Sequence, residues 1–523
     1  MNLLTPQKLF NSLIAILFFI LVACQAPVEE KLTDLPRSTP EAEGVSSQAI
    51  LNFLESADTS KHEFHSFMMV RHGKVIAEGW WNPYAPDLKH TMYSVSKSFT
   101  STAIGYAVTE NKMTVNDKVV SFFPEYLPDS VSPYLAQLTV KDLLSMSVGQ
   151  DPDPSSRVPG DSLWVKSFLE TPILNEPGTV FLYNSMATYM LSAIVTRVTG
   201  EKVIDYLKPR LFDPLNITGV DWETDPSGAN VGGWGFRVKT EDMAKFGQLL
   251  LQKGMWNGQQ VLSAKWIDEA TSSKILQSPD VPQEKRVTND WLQGYCYQFW
   301  RTRHNSFRAD GAFGQYILVL PEKDAVIAIT SETNDMQGIM NMAWDQLLPA
   351  MQEGELASDE NALQALSTKL ASLALEVPDK GTHSTLSSTI SGKTYALAAN
   401  DRGLQSVSFQ LGDPQSQVTF NSESGNHTLP LGAGSWEMTE TSRKGPYLVA
   451  RAKNALEGLP PFKVATAYSW KSDSELELTL RYIESPHTER ISCTFEGDSV
   501  KMNFKISFAP NFEMPVIKGA VAK

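Results

Sequence analysis

The sequence predicts an α+β domain followed by an all-β domain, and three observations carry that expectation. Strand-like text stands at both ends of residues 41–355, with helical periodicity between them, as for a sheet completed by the two ends of one domain. From about residue 380 the text changes to short strand-like runs divided by turns, the pattern of a sandwich or barrel. The 42% hydrophobic and 20% charged composition supports packed cores and excludes disordered or low-complexity chains. A formal charge of -14 without a Lys/Arg-rich run also argues against nucleic-acid partners, whose binding rests on cations facing phosphates.

Taken in order, residues 1–23 read as a signal peptide. Lys8 is basic, and Leu13 to Ala23 is an apolar run too short to span a bilayer. Leu21-Val22-Ala23-Cys24 resembles a bacterial lipobox. That resemblance implies cleavage before Cys24, a lipid on its thiol and a protein anchored in the cell envelope on the periplasmic or extracellular face. Gln25 fits an outer-membrane destination. Residues 24–40 are polar and contain proline, as a tether would.

The first domain, 41–355, opens with a hairpin: Phe67 to Val70, the turn Arg71-His72-Gly73-Lys74, then Val75 to Ala77. Helical periodicity follows Ser94 through Val95, Phe99, Ala103 and Ala107. Further helices are expected at 139–146, 186–198, 240–252 and 264–271, each beside turn formers. Strands return at Tyr316 to Leu320 and Ala325 to Thr330, and an amphipathic stretch runs from Gly338 to Met351. A helical connector occupies 356–379. The all-β domain, 380–523, shows its clearest strands at Val407 to Leu411, Val418 to Phe420, Tyr447 to Ala450, Leu476 to Tyr482 and Val500 to Phe508. Cys296 and Cys493 sit in strand-like text and read as buried free thiols rather than a bridge.

Chemistry is concentrated at Ser94-Val95-Ser96-Lys97. At a helix start, residues three apart share a face, which places Lys97 over the Ser94 hydroxyl. Burial lowers a lysine pKa, and a neutral amine can take the serine proton. The competing reading is a polar helix start with an exposed lysine. No other serine in the sequence has lysine three residues on.

The words around this motif decide between the two. YSVSKSFTS, VKDLLSMSVG at 140–149, VFLYNSMATYMLSAIVTRVTG at 180–200, GFRVKTEDMAKFGQLL at 235–250 and ADGAFGQYILVLPEKDAVIAITSE at 309–332 occur in one order. Together they resemble the serine β-lactamase, penicillin-binding protein and esterase superfamily, in its class C-related branch. The resemblance implies a β-lactamase/transpeptidase-like fold, an antiparallel sheet flanked by helices plus a helical subdomain. It makes Ser94 the nucleophile and Tyr183 the base that shares a proton with Lys97, with a neighbouring lysine charge drawing the phenol pKa down. Ser185 stands where the family carries asparagine. Backbone N–H groups of Ser94 and Ala312 would form the oxyanion hole.

The third family motif departs from type. Where a cation is usual, the aligned residues are Ala309-Asp310-Gly311, and strand alternation turns Ala309 inward with Arg308 and Asp310 on the opposite face. Losing that cation removes a charge-assisted contact to a substrate carboxylate worth roughly 1.5–3 kcal/mol, or roughly 10–100-fold in affinity. This weighs against an efficient β-lactamase or DD-peptidase. Gly311, Gly314 and Gln315 resemble a subgroup of esterases and linear-amide hydrolases.

Other motifs fail. Gly392-Lys393-Thr394 lacks the first P-loop glycine, which is Ser387, and no Gly-x-Ser-x-Gly elbow occurs. His62 and His65 lack further ligands at metal spacing. Tyr295, Tyr297 and Trp300 are read equally as pocket or core. The expectation is a lipid-anchored serine hydrolase of small or peptide-like esters or amides, with no metal or organic cofactor. Its rivals are a β-lactamase or DD-peptidase, and a non-catalytic envelope-binding lipoprotein.

Overall fold

The alternating run around Arg71-His72-Gly73-Lys74 folds into the expected hairpin, β1 (Glu63–Arg71) and β2 (Lys74–Trp80). His72 and Gly73 both take positive φ, as a two-residue hairpin turn requires. The computed structural model describes residues 34–522 except 380, 382–383, 413–414, 450–451, 453–454, 457 and 460. The signal segment, Cys24 and the tether up to residue 33 lie outside the described residues.

The hairpin is joined by β3 (Trp300–Thr302), β4 (Ser306–Gly311), β5 (Gln315–Leu320) and β6 (Ala325–Glu332) in an antiparallel sheet of order β2-β1-β6-β5-β4-β3. Because β1 pairs with β6, both ends of the domain complete the sheet. Period-two alternation divides its faces. Phe67, Met69, Leu318 and Ile327 pack with α1 (Ser47–Thr59) and the segment Met336–Leu347. Met68, Val70, Ile317 and Ala328 share the other core with Phe99 of α2 (Ser96–Thr109), Met190 of α3 (Ser185–Thr199) and Phe246 of α4 (Thr240–Leu251). The amphipathic stretch from Gly338 is an α-helix to Met342 followed by a π-helical turn, Ala343–Leu347.

The connector helix α5 (Glu360–Ala371) returns to the first domain. Leu366 and Leu373 are buried with Leu51, Leu54 and Ala77, and Lys369 pairs with Asp58. The C-terminal domain is a ten-stranded antiparallel sheet. Its strands are β7 (Thr394–Leu397), β8 (Leu404–Gln410), β9 (Ser416–Ser422), β10 (Gly425–Leu431), β11 (Glu437–Thr441), β12 (Phe462–Trp470), β13 (Glu475–Tyr482), β14 (Thr488–Glu496), β15 (Ser499–Ile506) and β16 (Ile517–Val521). The order is β10-β9-β8-β7-β16-β15-β14-β13-β12-β11. The Tyr468 N–H reaches the Gly432 carbonyl at 2.9 Å, so the sheet curls until its first strand meets the far edge. Val407, Phe409, Val418, Leu478, Ile491 and Phe504 fill the interior of this nearly closed barrel.

One expected strand is absent. Tyr447 to Val449 forms a turn rather than a ladder, and Ala450 lies outside the described residues. The Tyr447 ring is spent on the seam between the domains: it stacks on Tyr93 at 5.4 Å, and its hydroxyl donates to Glu223 at 2.9 Å. Arg237 adds a bond from Nη1 to Glu484 at 3.2 Å, and Arg481 pairs with Glu63. The buried apolar cluster runs from the first domain into the barrel without a break.

Candidate active site

Ser94 lies in a single 3-10 turn, Tyr93–Val95, that runs directly into α2. Tyr93 holds φ +45°, a conformation that bulky side chains rarely adopt and that must be paid for by surrounding contacts. Val95, Ser96 and Lys97 are buried, while Ser94 is partly exposed. The i,i+3 spacing does what the sequence predicts: Lys97 Nζ is 3.0 Å from Ser94 Oγ.

Lys97 is buried beneath the serine, at 1% exposure. Nζ also lies 3.0 Å from Ser185 Oγ and 2.6 Å from the Gly233 carbonyl. Burial pulls its pKa down to about 7, against the opposing pull of the Asp153 and Asp310 carboxylates. A neutral amine has two hydrogens and one lone pair. The Gly233 carbonyl can only accept, and Ser185 Oγ can accept the second hydrogen. The lone pair is then left to face the Ser94 hydroxyl.

Tyr183 and Ser185 arrive together because Asn184 between them starts α3. The Asn184 side chain accepts from the N–H groups of Met186 at 2.9 Å and Ala187 at 3.1 Å, the geometry of an N-cap. Its amide donates to Gln150, so Ser185, the first residue of α3, is the one that faces Lys97. The Tyr183 ring lies 5.0 Å from Lys97 Nζ, stacks on Trp300 at 5.6 Å and meets Tyr295 edge-on at 6.1 Å. Burial pushes the phenol pKa up, and the neighbouring Ser94 hydroxyl offsets only part of that. The expectation that lysine charge lowers it is therefore corrected. The same burial that draws Lys97 toward neutrality weakens the charge that a phenolate would need.

In β4 Gly311 stands opposite Gln315, Asp310 opposite Tyr316 and Ala309 opposite Ile317, the partners all in β5. Ala309 is buried in the cluster that holds Val95 and Phe99, while Arg308 and Asp310 pair at 2.8 Å. The Arg308 guanidinium stacks over Trp291 and Trp300, extending the aromatic column behind Tyr183. A Cβ on Gly311 would fall 2.2 Å from the Met92 carbonyl oxygen, so only glycine lets this strand end press against the nucleophile turn. Ala312 is partly exposed in the following turn, where Phe313 and Gly314 have φ +67° and +89°. Gln315 braces that turn: Nε2 donates to the Ala312 carbonyl at 3.1 Å and to the Ser331 carbonyl at 2.7 Å.

Sequence reasoning missed two contributors. Gly233 carries no side-chain signal at all. Ser155 Oγ accepts from the Ser185 N–H at 3.0 Å, and Asp153 holds Ser155 through its N–H and hydroxyl. The sequence Asp153-Pro154-Ser155 is a recognisable capping turn, which could have marked this part of the 150–180 loop. Of the aromatic strand, Tyr295 and Trp300 surround Tyr183, whereas Tyr297 packs on Trp266. His62 bonds Thr333, and His65 bonds His90 and Glu63. Cys296 and Cys493 are buried free thiols, the first pushed up to about 12 by burial.

Known proteins resemble this chain in sequence and in fold. A family model described as Beta-lactamase matches residues 65–352. The 6-aminohexanoate-dimer hydrolase of Paenarthrobacter ureafaciens is 28% identical over 290 residues, 52% of this chain and 73% of that protein. Among solved structures, a penicillin-binding protein homologue from Caulobacter crescentus is 14% identical, with a TM-score of 0.48 over 60% of this chain and 100% of that one. The octameric penicillin-binding protein homologue from Pyrococcus abyssi is 14% identical, with a TM-score of 0.47 over 90% of this chain and 99% of that one.

Proposed function

This chain belongs to the Beta-lactamase family and is a serine hydrolase, and from that premise we propose that it cleaves an ester or linear amide through an acyl-enzyme on Ser94. The carrying observation is a buried lysine, drawn toward neutrality, 3.0 Å from a partly exposed serine hydroxyl. As Ser94 Oγ attacks the carbonyl carbon, its proton passes to the Lys97 lone pair. The oxyanion is held by the Ser94 and Ala312 N–H groups. Tyr183, still protonated and close to Ser94, relays a proton to the leaving oxygen or nitrogen, and Lys97 resupplies it. Water then attacks the acyl-enzyme by the reverse relay and frees Ser94.

The preference for esters and linear amides rests on the resemblance of the third motif, in which Ala309 aligns where the family usually carries a carboxylate-binding cation. A relative whose name gives a 6-aminohexanoate dimer as its substrate supports the same preference. The test is a panel of p-nitrophenyl esters, linear amides, D-amino-acid peptides and β-lactams, with fluorophosphonate labelling of the wild type and Ser94→Ala. Turnover confined to β-lactams or D-amino-acid peptides would reverse the preference. Labelling unchanged in Ser94→Ala would remove the nucleophile.

The leader suggests where this chemistry happens. Cys24 is the proposed lipid attachment site, holding the enzyme to a membrane of the cell envelope. Metabolic labelling with an alkyne fatty acid should mark the wild type and spare Cys24→Ser; equal labelling of both would refute the anchor.

A further inference from the structure

The two backbone N–H groups assigned to the oxyanion hole each sit beside an aromatic residue at positive φ: Tyr93 precedes Ser94, and Phe313 follows Ala312. Neither is held by the first domain alone. His487, from the barrel at the start of β14, touches both. Its Nε2 is 2.6 Å from the Tyr93 hydroxyl, and its ring meets the Phe313 ring edge-on at 4.9 Å. Phe508 backs this contact, 4.4 Å from His487 and 5.3 Å from Phe313. Tyr447 stacks on Tyr93 at an angle of 22°.

The histidine is itself fixed. Its Nδ1 is 2.6 Å from Glu332 Oε1, which also receives the Ser507 hydroxyl at 2.7 Å. A carboxylate only accepts, so Nδ1 carries the hydrogen, and the Nε2 lone pair is left to accept from Tyr93. The result is a directed chain from Tyr93 through His487 to Glu332, the last residue of β6. Tyr93 is 2% exposed and has no access to substrate. The chain therefore positions the turn that carries Ser94; it does not attack anything.

We propose that His487 is a positioning residue of the oxyanion hole, clamping Tyr93 on one arm and Phe313 on the other, and that the C-terminal barrel is thereby part of the hydrolase site. This rests on the acyl-enzyme reading of Ser94 given above. A strained backbone such as that of Tyr93 persists only when its surroundings over-determine it. Here the barrel supplies the hydrogen bond and the stack that do so. Displacing an oxyanion donor by about 1 Å costs on the order of 100-fold in rate while leaving ground-state binding largely intact.

The experiment uses the full chain with a p-nitrophenyl ester and a fluorophosphonate probe. His487→Ala should lower kcat and the Ser94 labelling rate by about 100-fold, with KM changed by less than about twofold. Tyr93→Phe, which removes only the hydroxyl, should lower both by about 10-fold. His487→Gln should recover part of the loss, because its carboxamide can still accept from Tyr93. His427→Ala, at a barrel histidine bonded to Ser424 and Ser442, should leave kcat and KM unchanged. The proposal is overturned if Tyr93→Phe and His487→Ala keep kcat within about twofold of the wild type. It is also overturned if their losses follow the unfolding temperature without rescue by glutamine. Activity surviving in Ser94→Ala would instead defeat the acyl-enzyme reading.

Discussion

Lys97 Nζ lies 3.0 Å from Ser94 Oγ and 2.6 Å from the Gly233 carbonyl, with the amine buried and its pKa drawn down to about 7. Protonated, the amine has no lone pair for the serine; neutral, it does. Activity should therefore rise with pH through about 7, and kcat/KM measured against pH checks this. Lys97→Ala should cost about 10³-fold or more and abolish that limb. A profile flat from pH 5 to 9 would mean that Lys97 is not the proton acceptor.

Tyr183→Phe keeps the ring on Trp300 and removes the hydroxyl that neighbours Ser94. A proton relay of this kind is worth about 10²–10⁴-fold, so kcat should fall by at least about 100-fold with KM little changed. Stability should barely move, since the aromatic contacts persist. Steady-state kinetics together with thermal unfolding separate the two effects.

Gly311→Ala inserts a methyl group 2.2 Å from the Met92 carbonyl. Backbone must move to admit it, at a cost of about 1–3 kcal/mol in stability. The movement parts β4 from the nucleophile turn, and activity should fall about 100-fold even where the protein remains folded. Gly160→Ala, at an exposed glycine with open space around it and no positive φ, is the comparison for the surface effect of adding a methyl.

Glu223 gives the domain seam a pH dependence. It is buried, and burial raises its pKa from 4.5 to about 7 although Tyr447 and Leu456 both bond it. A raised acid favours folding while it is protonated, so its contribution is full below 4.5 and is lost as pH rises through about 7. Glu223→Gln mimics the protonated acid, donating to the Tyr447 oxygen and accepting from the Leu456 N–H. The variant should show a smaller fall in unfolding temperature between pH 5 and 8 than the wild type. An equal fall in both would exclude Glu223 as the source.

The sequence by itself determined the pieces whose cause is local. The spacing of Ser94 and Lys97 fixed their contact, because a helical turn brings residues three apart onto one face. Alternation separated Ala309 from Arg308 and Asp310 across the strand, and the hairpin at 63–80 followed from its turn residues, whereas the burial of Ala309 in the core came from packing. Family phrases point to Tyr183 and Ser185, and the fold brings both beside Lys97. Tertiary structure decided everything that depends on desolvation or on distant chain. Whether Tyr183 or Lys97 gives up its proton more readily turns on burial, which no spacing encodes, and burial raised one and lowered the other. Gly233 enters through its carbonyl, which any residue possesses. Tyr447 looks like a strand residue until its ring is seen to stack on Tyr93. His487 lies 394 positions from Tyr93, and only the closure of the barrel onto the first domain brings its Nε2 within 2.6 Å of the turn that holds the nucleophile.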